Sequence, residues 1–201
     1  MKRKVKIAYV LRTCAADMTS HNGRFRWPES GPVALPDWDP KPECGNGLHG
    51  FLRGEGDGRL ASFAPDAKWL VVKVRLADVI DLAGKVKFPR GVVVFCGDRA
   101  GATALIKKKH PRATIVGGTS TSGDCGTSTS GDYGTSTSGF RGTSTSGDCG
   151  TSMAGENGIL VIRFWDGRRD RLVVGYVGEG GIKAGVKYRL NAEHQLVEVP
   201  S

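Results

Sequence analysis

Residues 44–58 combine dense glycine with side chains suited to acid, base or phosphate chemistry. Glycine lets a backbone approach a ligand closely and present its N–H groups to an anion. His49 could act as an acid, a base or a hydrogen-bond donor to a ribose or phosphate. Glu55 and Asp57 could serve as a carboxylate pair. The candidate ligand-binding residues are therefore Gly45, Asn46, Gly47, His49, Arg53, Glu55 and Asp57.

A simpler interpretation of this segment is a series of tight turns, with His49 hydrogen-bonded to a backbone carbonyl. We favour it, because Gly-x-Gly outside a strand-to-helix context is a weak phosphate-binding signal. The sequence contains no Ser-His-Asp arrangement and no phosphate-binding loop. We therefore assign no catalytic residue and favour a function without enzymatic activity, with an enzyme kept as an alternative.

The five cysteines, at positions 14, 44, 96, 125 and 149, are predicted to be reduced thiols. Their number is odd, and no apolar segment of signal-peptide length precedes them. A zinc site built from Cys44, His49, Cys96 and His110 lacks any C-x2-C pair, so neither a metal nor another cofactor is predicted. No apolar run approaches the roughly 20 residues that cross a bilayer. We therefore expect no membrane association and a cytosolic location.

The elements that must position the glycine-rich segment lie within residues 1–116. Apolar and β-branched runs predict strands at Val5–Leu11, Trp69–Leu76 and Gly91–Cys96. Residues Arg99–Lys108 have the spacing of a helix. This combination predicts a compact α+β domain.

From Gly118 to Asn157 the chain consists of five consecutive octads, GTSTSGDC, GTSTSGDY, GTSTSGFR, GTSTSGDC and GTSMAGEN. A fixed period is typical of a repeat fold, and β-branched Thr at positions 2 and 4 favours strands over a flexible linker. Each T-S-T-S is predicted to be a four-residue strand, followed by a turn in which glycine supplies the positive φ. Two octads should form one coil of a two-sided parallel β-solenoid. Whether Thr or Ser faces inward stays open.

Position 8 of the octad carries bulky side chains, which a linker has no reason to keep: Cys125, Tyr133, Arg141 and Cys149. With two octads per coil, Cys125 and Cys149 lie on opposite sides of the stack, which argues against a disulfide between them. Exposed flat β-faces pair readily. We therefore expect a homo-oligomer assembled through Thr119, Thr121, Tyr133 and Arg141.

The segment after the octads predicts a cap of two β-hairpins. Ile159–Trp165 and Arg171–Val177 are apolar runs on either side of Asp166-Gly167, which is a strong hairpin signal. Val186–Leu190 and Gln195–Val199 predict a second, shorter hairpin. Repeat arrays need such caps.

The net charge of +9 is distributed unevenly. Residues 1–116 hold 21 Lys/Arg against 11 Asp/Glu, a net charge of +10, whereas residues 117–157 carry −3 and residues 158–201 carry +2. Lys107, Lys108 and Lys109 could contact phosphates. Lysines at a helix C-terminus also complement its dipole, and no nucleic-acid-binding motif accompanies them, so nucleic acid is not the favoured partner.

Three resemblances follow from these motifs. Gly47-Leu48-His49, the octads and residues 158–177 resemble uncharacterised bacteriophage and prophage proteins, in which a Gly-Leu-His domain precedes Thr/Ser-Gly-Asp octapeptides. The order strand, Trp/Pro-rich loop and Gly-Leu-His-Gly resembles ADP-ribosyltransferase-like folds. The ranks of Thr-x-Thr resemble the ice-binding face of small β-solenoid antifreeze proteins.

These features predict a mainly β protein with three parts: a basic α+β domain (1–116), a short two-sided parallel β-solenoid of octapeptides (117–157) and a C-terminal β-hairpin cap (158–201). The main functional prediction is a phage-encoded, non-enzymatic interaction and assembly protein whose solenoid is a rigid stem or a self-association surface and whose basic domain contacts a partner. The alternatives are a nucleotide- or ADP-ribose-binding protein that counters host defence, an ADP-ribosyltransferase-like enzyme and an ice-binding solenoid.

Overall fold

The structure is a computed structural model that describes residues 5–20 and 25–200. The chain divides into two compact units, Met1–Ala113 and Thr114–Ser201. Strands dominate both units, and the strands of the second unit repeat. The predicted mainly β architecture is therefore confirmed.

The first unit is built on one seven-stranded antiparallel sheet with the strand order β2-β7-β4-β1-β3-β6-β5. The strands are β1 (Ile7–Cys14), β2 (Gly31–Ala34), β3 (Leu48–Leu52), β4 (Lys68–Arg75), β5 (Ile80–Asp81), β6 (Val86–Phe88) and β7 (Arg90–Gly97). Two short 3-10 turns lie at Gly58–Leu60 and Leu76–Asp78. The long central strands β1 and β4 pair along their whole length.

One helix, α1 (Arg99–Lys109), follows β7. It begins where the Asp98 carboxylate accepts a hydrogen bond from Gly101 N at 2.8 Å, which satisfies one of the free N–H groups of the first turn. Its buried residues are Ala102, Thr103 and Ile106.

Both sides of the first unit's sheet are buried: Leu11 and Val71, paired in β1 and β4, have no exposed surface, and an apolar cluster lies on the other side. Alternate residues of β1 and β4 point into it, as the period of a strand requires, among them Val10, Leu70 and Val72, none of which is exposed. Phe88 of β6 and Trp27 belong to the same cluster.

The second unit is a coil in which successive strands alternate between two sheets. The coil strands are β8 (Thr119–Thr121), β9 (Thr127–Thr129), β10 (Thr135–Thr137), β11 (Thr143–Ser146), β12 (Thr151–Met153) and β13 (Ile159–Trp165). One sheet has the order β16-β15-β12-β10-β8 and the other β14-β13-β11-β9. Within each sheet a coil strand pairs in parallel with the strand two octads away, for example Thr135 with Thr119 and with Thr151. One coil is therefore two octads.

Serine lines the interior of this coil. Ser136, Ser144 and Ser152 have no exposed surface, whereas the residues on either side of each, threonine except for Met153, point outward. At the C-terminal end apolar side chains replace serine in the interior, where Leu160 and Ile162 of β13 occupy the places that serine holds below them. Ile115 and Val116, just before the first octad, are also buried. The parallel ladder therefore carries much of the stability, because the interior offers little apolar area.

The turns differ from the prediction in the residue that takes the left-handed conformation. Position 8 of each octad adopts it, with φ between 53° and 56°, and the residues concerned are Cys125, Tyr133, Arg141, Cys149 and Asn157. Gly117 takes the same place before the first octad, with φ of 67°. The octad glycines are therefore not there to supply positive φ.

The octad glycines instead provide clearance between coils. A Cβ on Gly147 would lie 2.5 Å from the backbone nitrogen of Asp132 and 2.7 Å from the carbonyl carbon of Gly131, both of which belong to the preceding coil. A Cβ on Gly134 would lie 2.7 Å from the carbonyl oxygen of Gly118. Neighbouring coils thus stack with their backbones in direct contact at these positions.

The C-terminal segment extends both sheets rather than forming one sheet of its own. Strand β14 (Asp170–Tyr176) pairs antiparallel with β13, the last strand of the coil on that side. On the other side β15 (Tyr188–Leu190) pairs with β12, and β16 (Leu196–Glu198) pairs with β15. Tyr188 and Val177 are buried with Leu160 in a small apolar cluster beneath these strands.

Replacing Gly147 with alanine should weaken the coil, because the new methyl group has no space between coils. We expect the free energy of unfolding to fall by about 1–3 kcal/mol and amide hydrogen exchange to accelerate around Thr135 and Thr151. The matched control is Gly123→Ala, since Gly123 holds the same octad position with nothing within 4 Å of its Cβ site. Equal stability of the two variants would contradict the close stacking.

Candidate functional site

The coil presents outward threonines in register on both of its sheets. On β8, β10 and β12 these outward residues form what we call the first threonine face: Thr119, Thr121, Thr135, Thr137, Thr151 and Met153. Each is exposed or half-buried. Neighbouring strands of a sheet lie about 4.8 Å apart, and alternate residues of a strand about 7 Å apart. The face is thus a small lattice of hydroxyl and methyl groups.

The second sheet continues its threonines into an apolar surface. Thr127, Thr129, Thr143 and Thr145 point outward from β9 and β11, followed in register by Ile159 and Val161 of β13. The neighbouring residues of β14 are exposed and apolar, with Leu172 62% exposed, Val174 46% and Tyr176 52%. The two faces of the coil therefore differ in chemistry.

An aspartate ladder supports the turns and was not recognised in the sequence. The Asp132 carboxylate accepts a hydrogen bond from Asp148 N, one coil later, at 2.9 Å, and Asp124 accepts one from Phe140 N at the same distance. Asp132 is only 5% exposed and also forms an ion pair with Arg163 of β13. Aspartate recurs at position 7 two octads apart, in Asp132 and Asp148, and this spacing could have revealed the ladder. The ion pair with Arg163 could not have been found from the repeat, because Arg163 lies outside the octads.

Two residues predicted to mediate assembly lie in turns on opposite sides of the coil. Tyr133 stands one coil below Cys149, and burial together with a hydrogen bond to that thiol raises the pKa of Tyr133 to about 12. Arg141 is exposed, with its guanidinium 5.1 Å from the centre of the Phe140 ring. Thr119 and Thr121 lie on β8, the edge strand of its sheet. The structure does not gather these four residues into one cluster.

The glycine-rich segment of the first unit is divided by β3. Gly45, Asn46, Gly47 and His49 line a cavity of about 640 Å³. Residues Arg53, Glu55 and Asp57 lie beyond β3 and line neither this cavity nor the neighbouring one of about 740 Å³. Asp57 caps the 3-10 turn at Gly58–Leu60 and holds Arg59 in an ion pair at 2.9 Å. The seven candidate residues therefore do not form a single site.

His49 is held neutral by its surroundings. Burial is the main cause, and the nearby cations Lys85, Arg12 and Lys87 add to it, so that the pKa of His49 falls from 6.5 to about 4. A hydrogen bond to the backbone of Gly47 opposes this shift. Its Nε2 atom is buried without a partner among the described residues.

The lysine cluster at the end of α1 is largely engaged within its own unit. Lys107 donates a hydrogen bond to the Ala113 carbonyl at 3.2 Å, and the Lys109 ammonium lies 5.4 Å from the centre of the Tyr9 ring. Lys108 is exposed. All three lie in the last turn of the helix, where cations complement the helix dipole.

The cysteines are all free thiols, and burial raises the pKa of Cys14 to about 11. Across residues 5–20 and 25–200, no group of three or more His, Cys, Asp or Glu side chains is placed to hold a metal ion. No helix in these ranges has the length and apolar character that crossing a membrane demands.

Comparisons with known proteins find similarity to bacterial ice nucleation proteins. One from Pseudomonas syringae is 44% identical over 105 residues, which is 51% of this chain and 9% of the relative. One from Xanthomonas campestris pv. translucens is 42% identical over 103 residues (50% of this chain, 6% of the relative). Ice nucleation protein InaU of Pantoea ananas is 38% identical over 109 residues (53% of this chain, 10% of the relative). No family model and no solved structure matches.

The chain spans about a tenth or less of the length of these relatives. The matched stretch of 105 residues is longer than the second unit, residues 114–201, so the similarity includes part of the first unit.

These relatives correct two predictions. The bacteriophage origin is wrong, because the similar proteins come from Pseudomonas, Xanthomonas and Pantoea and are named for ice nucleation. The cytosolic location, which was inferred from the odd number of cysteines and the lack of a long apolar segment, is wrong as well, because the chain is similar to bacterial ice nucleation proteins.

The depressed pKa of His49 gives a testable pH dependence. In the unfolded chain the imidazole binds a proton near pH 6.5, whereas in the folded chain it does so only near pH 4. Acidification between these values therefore favours unfolding. NMR titration of the His49 ring should show a midpoint near 4, and His49→Gln should flatten the fall in stability over this range. A midpoint near 6.5 would show that His49 is solvated.

Proposed function

We propose that this chain binds ice through the first threonine face and thereby promotes the ordering of water. The observation that carries the proposal is the register of three parallel strands, β8, β10 and β12, in which five of the six outward residues are threonine. The similarity to proteins named for ice nucleation supports the same interpretation.

The face has the properties that a surface for ordered water requires. Each threonine hydroxyl can both donate and accept hydrogen bonds, and its methyl group restricts the positions of the next waters. Branching at Cβ limits the side-chain rotamers, and the parallel ladder fixes the spacing between strands. The array therefore presents hydroxyl groups at repeated distances with little loss of entropy when water is bound.

The size of the face favours association of several copies. Three strands at sheet spacing cover only about 10 Å along the coil axis, and the relatives are many times longer than this chain. We propose that copies of the chain associate through the apolar part of the second sheet, where Leu172, Val174 and Tyr176 are exposed side by side. Association of this kind brings several threonine faces into one assembly without adding octads.

The ice-binding face can be tested by droplet freezing. We expect the purified chain to raise the temperature at which water droplets freeze. The double variant Thr135→Lys, Thr137→Lys should return freezing to the buffer temperature, because long charged side chains interrupt the middle strand of the face.

The matched control is Val92→Lys, Val94→Lys, which adds the same two charges at exposed residues of β7 in the first unit, two positions apart in the sequence. This control should freeze droplets as the unchanged chain does. The proposal fails if the two double variants behave alike or if the unchanged chain has no effect on freezing.

Self-association can be tested by sedimentation velocity across a concentration series. Leu172→Asp should shift the protein toward monomer, because an exposed carboxylate cannot be buried in an apolar contact without a large desolvation penalty. Val94→Asp, which places the same charge on β7 of the first unit, should leave the distribution unchanged. A chain that stays monomeric at all concentrations would contradict association through this surface.

A further inference from the structure

We propose that the first unit binds a nucleotide in a cleft around Arg12, His49 and Lys85. This inference is independent of the proposed function of the coil. It rests on the arrangement of two cavities and on buried donors and cations that have no acceptor or ion-pair partner among the described residues.

The cleft consists of two cavities, of about 740 and 640 Å³. Sites for small organic ligands typically measure about 300–1,000 Å³. Both cavities are lined by Arg12, His49 and Lys85, together with Ser20, so these residues stand where the two meet. A ligand with two chemically different parts can therefore extend from one cavity into the other past the charged residues.

Arg12 occupies a place in β1 where the pattern calls for an apolar residue. Its neighbours on the same side of the strand, Val10 and Cys14, belong to the core. Its Nη1 atom donates a long hydrogen bond of 3.5 Å to the His49 carbonyl, and its guanidinium lies 5.6 Å from the centre of the Trp27 ring. No carboxylate in the described part of the chain forms an ion pair with it. A largely buried guanidinium held in this way is suited to an anion supplied from outside.

Two donors in the cleft lack acceptors. The Nε atom of Arg12 and the Nε1 atom of Trp27 are both buried without a hydrogen-bond partner among the described residues. Neither atom can accept a hydrogen bond, and a buried donor without an acceptor destabilises the folded chain. Phosphate oxygens or the ring nitrogens of a base would supply the missing acceptors.

Lys85 adds a second uncompensated cation. Its ammonium lies 3.0 Å from the Cys44 sulfur, and no described carboxylate pairs with it. A third cation that lines the larger cavity, Arg59, differs because Asp57 already neutralises it. Arg12 and Lys85 together provide two positive charges where the cavities meet, whereas one carboxylate, Asp37, lines the smaller cavity. The two cations suit a phosphate group.

The walls of the cavities favour a nucleotide over inorganic phosphate. Phe51 and Phe63 line the larger cavity, and Phe25 and Trp27 line the smaller one. Aromatic walls beside cations suit a ligand that joins a planar base to a phosphate chain, whereas phosphate alone would leave most of the volume unfilled. The lysines at the end of α1, which nucleic acid would contact, line neither cavity.

Isothermal titration calorimetry on the full chain tests the proposal, with ADP, adenosine and inorganic phosphate as separate probes. We expect ADP to bind and each of the other two to bind at least about tenfold more weakly, since each lacks one of the two recognised parts. Lys85→Gln and Arg12→Gln should each weaken ADP binding about tenfold or more. The matched control is Lys73→Gln, which removes one exposed cation from β4, away from both cavities.

Several results would overturn the proposal. Absence of ADP binding at millimolar concentration would do so, as would an equal loss of affinity in Lys73→Gln, which indicates general attraction to the basic unit. Inorganic phosphate that binds as tightly as ADP would show an anion site without base recognition. Arg12 is largely buried, so if Arg12→Gln does not fold, Lys85→Gln, at a partly exposed site, decides the outcome alone.

Discussion

The backbone contact between successive coils is the constraint on which the second unit depends. Glycine at two positions of each octad lets the carbonyl of one coil meet the N–H of the next, as where Thr135 N donates to Gly118 O at 2.9 Å. Since the coils cannot separate, the turns recur every two octads and the side chains align in rows. The outward rows of threonine are a consequence of that alignment, as are the inward rows of serine and the aspartate ladder.

The two units are stabilised by different means. The first packs apolar residues against both sides of an antiparallel sheet, and it also buries the cations Arg12 and Lys87. The second has a polar interior, in which Ser128, Ser130, Ser136 and Ser138 have hydroxyl groups without partners among the described residues. Its buried apolar residues lie at the two ends of the octads, with Ile115 and Val116 before the first octad and Leu160 and Ile162 after the last. The serine-lined part of the coil thus lies between apolar residues.

The repeats made the coil predictable from the sequence, whereas the cleft is formed by residues that lie far apart in the sequence. The period of eight, with Thr at alternate positions, led to a coil of two octads, and the apolar run after it predicted the bounds of β13. From the sequence we assigned the positive φ of the turn to glycine, because glycine adopts it most readily. In the structure the octad glycines are instead the residues that contact the neighbouring coil, and position 8, occupied for example by Tyr133 or Arg141, has the positive φ. The glycine-rich segment drew attention to His49. Arg12, far earlier in the chain, could have been noticed only as a charged residue in the alternating apolar row of β1.

The alternation of strands between two sheets has a consequence for how such an array can change its length. Insertion or loss of one octad moves every later strand to the opposite sheet, so that β13 would meet the wrong partner and the apolar cap would be reversed. Insertion or loss of two octads preserves both sheets, because each strand pairs with the strand two octads away. Genetic duplication within the repeat is therefore tolerated structurally only in even steps, and lineages that share this coil should differ by whole coils.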